Sequence, residues 1–129
     1  MKVLAHLALA LVLLALPGCT QEGRGRRPIA LPAATVVGPA QSCVLLRELG
    51  QSVIRDDWTI DFIGDRGHVW RNTLSGRCSG LRASRAFLYE TSLTQLCNTD
   101  IIYVLETTDR TRRGAACGLG DFMPVKLRD

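Results

Sequence analysis

The amino-acid sequence predicts a mainly β domain, a small open β-barrel or two-layer sheet with one or two short helices, braced by disulfides. Three features lead there. Apolar side chains recur with a period of two through much of the part of the 129-residue chain that follows about residue 41, which is the spacing of strands that bury one face. Turn-forming Gly, Asp and Pro residues separate those runs at short intervals. Four cysteines, Cys43, Cys78, Cys97 and Cys117, are spread over the same region, behind a leader that directs the chain to a compartment where disulfides persist.

The leader comes first. Residues 1–18 read as a signal peptide: Lys2 gives a basic start, and 3–16 is apolar except for His6, too short for the about 20 residues of a membrane span. Leu16-Pro17-Gly18-Cys19 resembles the bacterial lipoprotein processing box, a branched apolar residue and two small ones before a cysteine, with Pro17 its unusual member. Cys19 is therefore the expected lipidation site. Each buried acyl methylene contributes about 0.8 kcal/mol, so a multiply acylated cysteine is a stable membrane anchor. The expected location is the periplasm, at the outer membrane, because Thr20 stands where an aspartate would resemble an inner-membrane retention signal.

Residues 19–41 are expected to be a flexible tether, broken by Gly23, Gly25, Pro28, Pro32, Gly38 and Pro39 and solvated by Arg24, Arg26 and Arg27. The alternative is a strand at 34–37 packed on the domain. The folded unit is expected over 42–129. A short helix is predicted at 44–49, and 52–55 is read as a short strand or the end of the preceding element. Over 58–73, Trp58, Ile60 and Phe62 alternate with Thr59, Asp61 and Ile63; Gly64-Asp65-Arg66-Gly67 then turns the chain, and Val69 with Trp70 begin a return strand. Phe87 and Tyr89 share a face of a strand at 86–90, and a second short helix is predicted at 91–96. The run 100–107 is apolar on both faces, so a central strand is expected. Residues 122–127 are read as an edge strand, where Pro124 is tolerated.

A domain this small buries only about 60% of its unfolded surface and gains from covalent bracing. The cysteines are too far apart in sequence for the close pairs of a structural zinc site, so two disulfides are expected. Three connectivities are open, and the nested one, Cys78 with Cys97 inside Cys43 with Cys117, is taken as the expectation.

The stretches 56–60, Arg71-Asn72-Thr73-Leu74, Cys78-Ser79-Gly80-Leu81, Tyr89-Glu90-Thr91-Ser92, Leu96-Cys97 and Cys117-Gly118-Leu119-Gly120-Asp121-Phe122 with Pro124 together resemble an uncharacterised group of small exported proteobacterial proteins and lipoproteins. That resemblance implies secretion and the four-cysteine framework. It carries over no catalytic residues.

No constellation in the sequence announces catalysis. The mature chain keeps one histidine, His68, beside the hairpin turn, where a solvated role is expected. Asp57 and Asp61 fall on the strand face that Ile60 and Phe62 do not use, read as a solvated outer face; with Asp100 they form the one carboxylate set for an alternative hydrolase reading. Gly118-Leu119-Gly120 lacks the Gly-Lys-Ser of a phosphate loop and is read as a turn. No motif calls for a metal or cofactor.

The charge of +4 is carried almost wholly by arginine. Arg77, Arg82 and Arg85 cluster around Cys78, and Arg110, Arg112 and Arg113 lie in an expected loop; guanidinium forks suit phosphate and carboxylate. The first three are the candidate ligand-binding residues, for an envelope protein or an anionic polymer or lipid. Nucleic acid is not expected, because the basic stretches carry few stacking aromatics. The function expected from sequence is thus a non-enzymatic envelope module, tethered to the membrane through its N-terminal lipid.

Overall fold

A computed structural model describes residues 31–91 and 93–128; the signal peptide and Cys19 lie outside the described residues. The strands, in chain order, are β1 Ala34–Val36, β2 Cys43–Leu45, β3 Gln51–Ile54, β4 Thr59–Ile63, β5 Val69–Thr73, β6 Phe87–Tyr89, β7 Gln95–Cys97, β8 Ile101–Leu105, β9 Arg113–Gly118 and β10 Phe122–Leu127. One short helix, α1, spans Leu81–Ser84, and 3₁₀ turns span Leu46–Glu48 and Asp65–Gly67. The fold is mainly β, as the sequence predicts. Its sheets stay open: a five-stranded sheet in the order β1-β10-β5-β4-β3, a three-stranded sheet β6-β8-β9 and the pair β2-β7, all antiparallel.

The period-two pattern works as expected in β4, where Ile60 and Phe62 are buried in the core. Phe62 meets Phe122 of β10 with ring centroids 5.7 Å apart and meets Phe87 of β6 edge-on at 6.3 Å. These aromatic contacts join the large sheet to the three-stranded one. Leu81, Leu96, Ile102 and Val104 complete the same core. Strand β8 is central in its sheet, yet Ile101 is 45% exposed, so its two faces are not equally covered. Trp58 precedes β4 and is 47% exposed, outside the alternation it was expected to begin.

Several elements differ from expectation. The predicted helix at 44–49 is β2 followed by a single 3₁₀ turn. The helix predicted at 91–96 is absent: the Thr91 hydroxyl accepts the Leu93 N–H, a local turn that competes with helix, and β7 follows because Cys97 pairs directly opposite Cys43. Helix α1 was not foreseen; Gly80 and Arg85 flank it in left-handed conformation, and it seats Leu81 in the core. Strand β9 runs through the expected basic loop, where Gly114, Ala115 and Ala116 gave no β signal.

The disulfides join Cys43 to Cys97 and Cys78 to Cys117, interleaved rather than nested. Register explains the first. The Asn98 N–H bonds Ser42 and the Leu46 N–H bonds Thr94, which leaves Cys43 and Cys97 as a non-hydrogen-bonded pair, with Cα atoms 4.0 Å apart. Cys78 is fully buried, anchored by its N–H to the Asp57 carbonyl, and meets Cys117 on β9.

Within the span read as a tether, Ala34–Val36 forms β1 and covers the flank of β10, so β10 is an inner strand. Pro124 is accommodated for a different reason from the one expected. Val37 donates to the Pro124 carbonyl and Gln41 pairs with Phe122, so Gly38, Pro39 and Ala40 stand opposite Met123 alone. The chain bulges away where Pro124 has no N–H to offer.

Candidate functional site

That bulge forms one wall of a groove of about 820 Å³. Trp70 of β5 and Pro124 of β10, neighbours in register, lie on the core-facing side of the sheet and form its floor. The two 3₁₀ turns contribute Arg47 and Glu48 from one and Asp65 and Arg66 from the other, with His68 beside them. Val37, Gly38, Pro39 and Gln41 complete the lining.

Two glycines allow the turns to meet. A Cβ on Gly64 would lie 2.2 Å from the Glu48 carbonyl oxygen, and one on Gly50 would lie 2.5 Å from the Ile63 carbonyl oxygen. No larger residue fits either backbone approach. The second turn is held by the His68 N–H on the Asp65 carbonyl and the Gly64 N–H on the His68 carbonyl, and it puts Arg66 at φ 57°, left-handed for a residue with a side chain. The side chains of Arg47, Glu48, Asp65, Arg66 and His68 are all exposed.

The carboxylates singled out by sequence go elsewhere. Asp61 is fully buried, contrary to the expected solvated face, between Arg55 at 2.7 Å and Arg71 at 2.8 Å. Burial works against its charge, and hydrogen bonds and positive fields from Arg71 and Arg55 overcome that and hold its carboxyl below the usual carboxylate range. The same hydrogen bond keeps the Arg71 guanidinium even more firmly protonated than usual. Asp57 takes the Arg77 guanidinium at 3.1 Å and the Arg82 backbone N–H at 3.0 Å. Asp100 accepts the Cys97 N–H at 2.7 Å. Among the described residues the three share no hydrogen-bond partner.

Arg77, Arg82 and Arg85 are exposed around α1, and the Asp57 carboxylate sits among the first two. Of the other arginines, Arg110 donates to the Ser84 carbonyl at 2.9 Å, and Arg113 pairs with Glu90 while lying over the Tyr103 ring at 4.9 Å from its centroid. That pairing, through its hydrogen bond first and its charge second, lowers the Glu90 carboxyl. His68 is exposed beside the turn, as expected, and it borders the groove. Gly118 ends β9 and Gly120 follows it, its N–H and carbonyl both held by the buried Asn72 amide at 2.9 and 2.6 Å.

Sequence reasoning did not assemble the groove. Its one legible sign was the turn Gly64-Asp65-Arg66-Gly67; the lining comes from segments far apart in sequence that only the sheet register brings together. Among the described residues, no three His, Cys, Asp or Glu side chains gather as a metal-binding group, and no helix is long and apolar enough to cross a membrane. No family model, curated protein or solved structure matches the chain.

Proposed function

We propose that this chain is a cell-envelope lipoprotein whose folded part is a non-enzymatic binding module, with the groove over Trp70 as its contact surface. One observation carries the reading: the groove gathers exposed charged side chains on two turns that approach each other closely at Gly50 and Gly64, while Asp57, Asp61 and Asp100 are each occupied in bracing the fold. Two disulfides are compatible with export, and the leader with Cys19 supports a lipid anchor at the periplasmic side of the outer membrane. The resemblance to small exported four-cysteine proteins supports the same placement. The hydrolase alternative has no comparable support, because its carboxylates do not share a partner.

A photo-cross-linking residue placed at Gln41, in the groove, and in a second strain at Thr107, outside it, tests the reading in intact cells. Adducts specific to the Gln41 position are expected. Equal adducts at both positions, or none at either, would overturn it. The anchor is tested separately by intact mass of the membrane fraction, where an unmodified N-terminus at Cys19 would exclude it.

A further inference from the structure

We infer that the groove takes a short zwitterionic peptide by both of its ends, its ammonium held by Glu48 and Asp65 and its carboxylate by Arg47 and Arg66. The inference rests on the reading of the groove as a binding surface and names its ligand class. Among the described residues, every carboxylate outside the groove is engaged by another described group: Asp61 by two arginines, Asp57 by Arg77, Glu90 by Arg113, and the remainder by backbone or side-chain donors. Glu48 and Asp65 receive no hydrogen bond or ion pair on their carboxylates from described residues. Both line the same groove.

The pattern of signs selects the ligand. Each turn offers one cation and one anion at adjacent positions, Arg47 with Glu48 and Asp65 with Arg66. An anionic polymer entering the groove would meet two carboxylates, and a polycation would meet two guanidinium groups; like charges brought together disfavour both. A ligand carrying one charge of each sign satisfies all four groups. Between them Trp70, Pro124, Pro39 and Val37 provide an apolar seat for a side chain, and about 820 Å³ admits two or three residues. This differs from the anionic partner that the arginine count alone favoured, because the carboxylates of the groove are visible only in the fold.

The test uses trialanine, its N-acetyl form and its C-terminal amide, titrated onto the mature chain carrying Trp58→Phe so that fluorescence reports Trp70. Saturable binding of trialanine is expected, with each blocked form at least about tenfold weaker, the effect of losing even one of the charge-assisted hydrogen bonds at that end. Glu48→Gln with Asp65→Asn should abolish the discrimination against acetylation and leave that against amidation; Arg47→Gln with Arg66→Gln should do the reverse. Blocked peptides that bind as tightly as trialanine overturn the inference, as does the absence of any saturable change. If the peptides fail while the cross-linker at Gln41 still traps an envelope component, the ligand class falls and the binding module stands. If both fail, both fall.

Discussion

The guanidinium of Arg71 closes on the Asp61 carboxylate with two nitrogens, Nε at 2.8 Å and Nη2 at 2.9 Å, directly across the β4–β5 register. Its third nitrogen donates to the Pro32 carbonyl at 3.2 Å, and Arg55 Nε donates to Asp61 Oδ2, the oxygen that also accepts Arg71 Nη2. One buried acid thus ties β3, β4 and β5 to the segment that leads into β1. Asp61→Asn leaves two arginines facing a neutral group, and a loss of about 3 kcal/mol is expected from urea unfolding at neutral pH. A loss below about 1 kcal/mol would show that the triad braces nothing.

Acid should expose the same triad. The folded Asp61 carboxyl is held below its usual range, so the unfolded chain binds the proton more readily. Its contribution is therefore fully present above the unfolded carboxylate range near about pH 4 and is lost as pH falls through the folded value. Urea midpoints compared at pH 7 and pH 3 should fall further for the wild type than for Asp61→Asn. Equal falls would place the acid sensitivity elsewhere.

The disulfides close loops with separations of 54 and 39 residues, each worth about 4 kcal/mol by loop-closure entropy. Replacing either pair by serine should lower stability by roughly 3 to 4 kcal/mol. Non-reducing peptide mapping should recover Cys43 with Cys97 and Cys78 with Cys117; a Cys78–Cys97 peptide would contradict the register.

Asn72 is fully buried, and its amide both donates to and accepts from Gly120. Asn72→Ala strands two backbone groups and should cost about 2 to 3 kcal/mol. Asn72→Asp, which keeps an acceptor for the Gly120 N–H but loses the donor to its carbonyl, should also destabilise. Thermal melts of the two variants check this.

Gly64→Ala should separate the two turns that line the groove, since its Cβ would overlap the Glu48 carbonyl. A destabilisation of roughly 1 to 3 kcal/mol is expected, with a change in Trp70 emission. Gly67→Ala meets no atom within 4 Å and serves as the comparison, carrying only the strain of its φ of 76°.

What was legible in the sequence follows from how local each cause is. The alternation of Ile60 and Phe62 and the turn at Gly64 are properties of adjacent residues, and they predicted the β4–β5 hairpin. Strand β9 has small residues whose pairing with β8 comes from the partner strand, so Gly114 to Ala116 hid it. Asp61 looked solvent-facing because a period of two assigns a face without saying what covers it; Arg55 and Arg71 supply the cover. The groove was the least legible feature, since Gly38, Glu48, Arg66 and Pro124 share no local pattern.

Strand β1 meets β10 through only three registered residue pairs, while Cys43, a few residues further on, is covalently closed to Cys97. A pull on the N-terminal side of the described residues would therefore meet the β1–β10 pairing and the Arg71–Pro32 bond first, then the paired Gln41 and Phe122, and behind them a covalent bond instead of another row of hydrogen bonds.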